Sequence, residues 1–129
     1  MKANIPPHIE DLTEKIIGSA FRVSNALGHG FLETVYKNAL AEDISAHGLS
    51  LQTERAFEIT YLGKRVGHYI ADLVIENIVI VELKAVDKLA RAHAAQVLNY
   101  LKASQMPVGL LMNFGTPKLE LRRILLSIP

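Results

Sequence analysis

The chain has no cysteine and no tryptophan. Without cysteine, no disulfide, zinc-thiolate site or cysteine nucleophile is possible, and the composition fits a reducing compartment. Net charge is nearly absent as well: 14 Lys and Arg against 13 Asp and Glu leave +1 at pH 7. Bulk electrostatics therefore does not announce a nucleic-acid binder, and any such role must rest on a local patch. No apolar run approaches the roughly 18 residues of a membrane span. The opening Met1 to Pro7 lacks the apolar stretch of a signal peptide. Repeats, low-complexity runs and linkers are also missing. These absences leave 129 residues expected to form one soluble, cytoplasmic domain over 1–129. Hydrophobic residues make up 50% of the chain. In a small domain that favours a homodimer or higher homo-oligomer.

Periodicity gives the elements. Pro7 suits the first position of a helix running to about Leu27, with Ile9, Leu12, Ile16, Ala20, Val23 and Leu27 at helical spacing. Gly28 and Gly30 end it. A second helix is expected from about Phe31 to His47, with an apolar face of Leu32, Val35, Ala39, Leu40 and Ile44, and Gly48 as its stop. The pattern then predicts strands over Thr53–Leu62, Val66–Glu76 and Ile78–Ala85, with turns at Gly63-Lys64 and Asn77. The third strand is apolar on both faces apart from Glu82 and Lys84, so it belongs in the centre of a sheet. A helix over Leu89–Ser104, a buried strand over Val108–Met112 and an edge strand over about 119–126 complete a mixed-sheet α/β domain.

Three charges interrupt the most β-branched stretch: Asp72, then Glu82 and Lys84. Charges inside such a stretch are costly unless paired or metal-bound. Two carboxylates offer the hard oxygens that suit Mg²⁺ or Mn²⁺, and the Leu83 carbonyl adds another. Lys84 shares a strand face with Glu82. The set is the minimal kit for metal-assisted phosphodiester hydrolysis, and equally a structural ion-pair cluster at a strand end. One geometric condition separates the two. Asp72 and Glu82 oppose each other only if the turn is centred on Asn77, as a three-residue turn or a bulge. A two-residue turn at Glu76-Asn77 sets Asp72 against Val81 and turns Glu82 away.

Further motifs sharpen the reading. Gly30-Phe31-Leu32-Glu33-Thr34-Val35-Tyr36 fits a GxxExxY signature. Ala71-Asp72-Leu73, Val81-Glu82-Leu83-Lys84-Ala85, Gln96-Val97-Leu98-Asn99-Tyr100-Leu101 and Gly109-Leu110-Leu111-Met112-Asn113-Phe114-Gly115 follow in order. With them the chain, from about Ile9 to Ile124, resembles the GxxExxY protein family of the PD-(D/E)XK nuclease-like superfamily. Ala71 stands where the superfamily's name has proline. The resemblance implies a restriction-endonuclease-like core of helix, three strands, helix and strand over about 31–113. It implies that Asp72, Glu82 and Lys84 are the catalytic set, and that Glu33 points toward the metal from the first core helix. Gln96 and Tyr100 resemble a Q-x3-Y motif facing the active site or the DNA backbone.

Each of these residues also has a plainer reading. Glu33 suits a first helical turn on dipole grounds alone. Tyr36 either approaches the substrate near Glu33 or packs. Gln96 and Tyr100 share a helix face. His68 shares strand parity with Asp72 and is a candidate for the same cleft. Lys88 and Arg91 follow the set closely and would lie along a phosphate path, while Lys64-Arg65 and Arg122-Arg123 read as a solvated face. The expected function is a Mg²⁺- or Mn²⁺-dependent deoxyribonuclease with DNA as partner. The rival readings are a non-catalytic nucleic-acid-binding or assembly module on the same fold, and a purely structural oligomer.

Overall fold

A computed structural model describes residues 5–126; the expectations for the first four and last three residues fall outside it. The elements are α1 (Pro7–Leu27), α2 (Glu33–Ala46), β1 (Leu51–Tyr61), β2 (Lys64–Ile75), β3 (Val79–Lys84), α3 (Arg91–Ser104), β4 (Val108–Asn113) and β5 (Glu120–Leu125). The strands form one five-stranded sheet in the order β1-β2-β3-β4-β5. β3 and β4 are parallel and are joined by the α3 crossover, while the other neighbours are antiparallel. The architecture is the mixed α/β sheet expected for a restriction-endonuclease-like core. Among the described residues no helix is long and apolar enough to cross a membrane.

Two cores sandwich the sheet. α1 and α2 cover one face, where Ile16, Leu40 and Ile44 meet Leu73, Ile75, Val81 and Leu83. α3 covers the other, with Tyr100 and Leu101 on Ala71, Val74 and Ile80. β3 is buried from Val79 to Leu83 and Lys84 is half-buried, which fits its central place. Gly109 lets α3 approach β4: a Cβ there would come within 2.5 Å of Val97 Cγ1.

Local details correct the periodicity reading. α2 begins at Glu33, two residues later than expected, because Leu32 is still extended. Its buried stripe is Tyr36, Leu40 and Ile44, an i, i+4, i+8 row. Leu32 and Val35, expected inside, are 77% and 38% exposed. The β1–β2 turn is Leu62-Gly63, both at positive φ, one residue earlier than Gly63-Lys64. This is the primed-turn chemistry that matches strand twist.

β1 and β2 also switch faces partway along. Leu51 on β1 and Leu73 and Ile75 on β2 pack beneath α1 and α2. Phe57 on β1 and Tyr69 and Ala71 on β2 pack beneath α3. All carry odd numbers, so strict alternation would place them on one face. The alternation inverts at Glu54 and Asp72, where the β1–β2 pairing lapses between Thr53↔Leu73 and Arg55↔Ala71. On β1 the break coincides with Glu54, whose φ of 50° is left-handed and interrupts the pleat's phase.

Candidate active site

The β2–β3 connection meets the geometric condition. Ile75 pairs with Val79, Val74 with Ile80 and Leu73 with Val81, leaving Glu76, Asn77 and Ile78 as the turn. Glu76 and Asn77 take positive φ, and the Ile78 amide donates to the Ile75 carbonyl at 2.9 Å. Continued by one step, the register sets Asp72 against Glu82. There the ladder ends and side chains take over. The Asp72 amide donates to Glu82 Oε1 at 2.7 Å, and the Leu83 amide donates to Asp72 Oδ2 at 3.0 Å. Each carboxyl thus spends one oxygen on the opposite strand's backbone and keeps one.

The protein's own charges make this pair electrostatically unfavourable. Glu82 is 4% exposed. Burial, then the charge of Asp72, pushes its carboxyl up to about 8, against the Asp72 backbone hydrogen bond and the pull of Lys84. Glu33, at the start of α2, is raised too, by its own desolvation and then by Asp72, while Lys84 and Lys37 pull it down. Tyr100 is pushed up to about 12 by burial, then by Glu82 and Asp72. One acidic field therefore connects α2, β2, β3 and α3.

The structure brings some of the expected residues together and sets others apart. Asp72, Glu82 and Lys84 come together, with Glu33 and Tyr100 inside their field. Among the described residues no three acidic or histidine side chains converge as a complete metal-ligand set, so Glu33 does not close a three-carboxylate cage. Tyr36 corrects its expected place at the substrate. It is fully buried, stacked on Phe114 at 4.9 Å. Its hydroxyl donates to the Gly28 carbonyl at 2.7 Å and accepts from the Phe31 amide at 3.2 Å, so it fixes the loop before Glu33. Tyr100 has a buried ring against Tyr69 at 5.1 Å, and Gln96 lies half-buried one turn earlier. Lys88 and Arg91 are exposed. Arg91 borders a depression of about 180 Å³ with Arg122, and neither residue is among the charges acting on Glu33 or Glu82. His68 lies beyond the face inversion and contacts Arg65 Nη2 at 2.6 Å through Nδ1.

Two supports escaped the sequence reading. Asn113 is fully buried. Its Oδ1 accepts from the Val86 and Gly115 amides at 3.0 Å, and its Nδ2 donates to the Val86 carbonyl at 2.9 Å and Glu120 Oε1 at 2.8 Å. It thereby clamps the segment that follows Lys84. Lys37, one helical turn after Glu33, donates to Glu54 Oε1 at 2.8 Å. The i, i+4 spacing of Glu33 and Lys37 was visible in the sequence, but Glu54 was not an obvious partner.

A cavity of about 620 Å³ is lined by Ser50, Arg55, Glu76 and Asn77 at the β2–β3 turn. Its lining does not include the carboxyl pair, of which Glu82 is buried and Asp72 half-buried.

A model of the PD-(D/E)XK nuclease superfamily matches residues 10–124. The chain belongs to that superfamily. No curated protein matches it. Among solved structures, the crystal structure of SSO0001 is similar with a TM-score of 0.59 and 20% identity, over 93% of this chain and 60% of that one. That likeness shows the fold. The chain spans about 60% of the length of that structure.

The oxygen-only donor set, its two spare carboxylate oxygens and their unrelieved repulsion fit a hard divalent cation. Mg²⁺ is commonly held by one or two carboxylates with waters completing its shell.

Proposed function

We propose that this PD-(D/E)XK protein is a metal-dependent nuclease that hydrolyses DNA phosphodiester bonds, of the GxxExxY type. The observation that carries this reading is the Asp72–Glu82 pair. Two carboxyls are forced together at a broken ladder, each with a spare oxygen, beside a half-buried lysine. An arrangement that only stabilised the fold would pair each acid with a base.

Asp72, Glu82 and the Leu83 carbonyl would hold Mg²⁺ or Mn²⁺, with Glu33 as an outer oxygen donor. When bound, the cation supplies Lewis-acid charge stabilisation and an activated water. Lys84 holds the attacking water in line and screens the phosphate. Gln96 and Tyr100, on the facing side of α3, orient the water and the sugar-phosphate backbone. Lys88 and Arg91 serve the more distant phosphates. Water attacks phosphorus, the P–O3′ bond breaks and the 3′-oxygen leaves with a proton, giving a 5′-phosphate and a 3′-hydroxyl.

The test is cleavage of linear, nicked, branched and single-stranded DNA with Mg²⁺ or Mn²⁺, against EDTA controls. Wild type is expected to cut at least one substrate, and Lys84→Ala to fold but not turn over. Equal behaviour of the two proteins on every substrate rejects the enzyme. The lack of a three-ligand set among the described residues favours one second reading, a non-catalytic DNA-binding or assembly module. It predicts salt-sensitive DNA binding with no metal-dependent turnover.

A further inference from the structure

Glu54 stands across the sheet from Asp72, at the level where β1–β2 pairing lapses. Its φ of 50° is left-handed, a conformation that side-chain-bearing residues seldom adopt within a strand and that collects at functional sites. The residue is neither glycine nor asparagine, so local propensity does not ask for this backbone. What the kink provides is a direction for one carboxylate, toward Lys37 Nζ at 2.8 Å.

Lys37 occupies an unusual place for a lysine. Its side chain is 15% exposed, although that of Glu54 is 65% exposed. It sits one turn after Glu33 on the same helix face, and the charges of Asp72 and Glu33 both reach it. Surface ion pairs of this kind contribute little to stability, which does not account for a strained strand residue and a lysine whose stem is held down against the fold. Lys84, in contrast, shares the β3 face of Ile80, which packs beneath α3. α2 lies on the other face of the sheet. Two lysines thus flank the acids from two different layers.

We propose that Lys37 is a phosphate-binding residue of the acid site and that Glu54 positions it. A phosphodiester is then held between the Lys37 ammonium on the α2 side and Lys84 on the α3 side. An ammonium has three N–H donors; Glu54 takes one, and the others face the phosphate oxygens. This inference rests on the nuclease reading and adds to it the second cation and its anchor.

The experiment uses a short fluorescein-labelled DNA oligonucleotide, as single strand and as duplex. Binding is read by anisotropy on a Lys84→Ala background with Mn²⁺ across a salt series. Turnover is read with otherwise wild-type protein in Mn²⁺. Lys37→Met is expected to weaken binding about tenfold at low salt and to reduce the slope of log K against log salt by about 0.9 on duplex or about 0.7 on single strand. Glu54→Gln keeps the Lys37 charge and removes a negative one. Charge alone would tighten binding and spare turnover, whereas loss of positioning lowers turnover about tenfold without weakening binding. An unchanged salt slope in Lys37→Met, or wild-type turnover in Glu54→Gln, overturns the proposal. Asp72→Asn separates the two levels. If it loses turnover while Lys37→Met keeps its slope, only the Lys37 assignment fails. If Asp72→Asn cuts as wild type does, or wild type never cuts, the nuclease reading fails and this proposal with it.

Discussion

Two acidic places in this molecule follow opposite rules. Between α1 and α2, Asp43 accepts from Arg22 Nη2 at 2.7 Å. The Arg22 hydrogen bond holds its carboxyl below the usual range. At the open end of the β2–β3 ladder, Glu82 meets a second carboxyl, and burial with that neighbour pushes it up to about 8. The first acid joins two helices at an exposed surface and costs the fold little. The second sits in a central strand buried from Val79 to Leu83, where an apolar residue would be more stabilising. Asp43 is matched to a base and lowered by it, whereas Glu82 is matched chiefly to another acid and raised, with Lys84 offsetting only part of the shift.

The sharpest way to break this contrast is at the chemistry. Asp72→Asn is expected to reduce DNA turnover by about a hundredfold or more, the scale of losing one preorganised charge contact, measured in initial-rate assays with Mn²⁺. Asp43→Asn should leave that rate unchanged. A similar loss in both variants would erase the distinction.

Next in size is the clamp behind the site. Asn113→Ala removes four hydrogen bonds from a fully buried amide and strands backbone groups of Val86. About 2–4 kcal/mol of stability should be lost, read from urea unfolding at constant m-value.

A third prediction reverses the usual sign. Glu82→Gln keeps an acceptor for the Asp72 amide but removes the buried charge. In EDTA at pH 9 it should be more stable than wild type by about 1 kcal/mol. A carboxyl raised in the folded state favours the fold when protonated. That contribution is complete below its unfolded value near 4.5, and is lost as pH rises through about 8. The metal-free wild type should therefore fall toward alkaline pH while the variant stays level. Thermal melts from pH 5 to 9 check this, and parallel curves would show that Glu82 carries no such strain.

The smallest effect belongs to Asp43→Asn. It should lower Tm slightly at low salt and less at high salt, because an exposed ion pair is screened. Its carboxyl is lowered on folding, so its contribution is present above the unfolded value and fades as pH falls through the folded one.

Much of this was legible in the residues. Asp72 and Glu82 lie symmetrically about Asn77, so the register followed from counting once the turn was assigned. The central place of β3 followed from its unbroken apolar run. Three things were not legible. The face switch at Glu54 and Asp72 depends on a backbone angle that glutamate does not advertise, and it removed His68 from the cleft. For Tyr36 the sequence leaves a contact near Glu33 and simple packing equally open; the hydroxyl is satisfied internally and the ring completes the α2 stripe. Asn113 fits a loop residue because asparagine is common in turns; two of its four bonds go to Val86, 27 residues earlier, and sequence spacing does not show that approach.

The three-residue turn at Asn77 also has a kinetic meaning. Asp72 and Glu82 are only ten residues apart, joined by a hairpin of the kind that closes in about 1–10 μs. The parallel β3–β4 pairing must wait for the α3 crossover, a slower, non-local event. The two carboxyls therefore meet early, while water still surrounds them and their repulsion is weak. Their burial comes later, when α3 and β4 dock, so the repulsion is imposed at the last stage of folding rather than at the first.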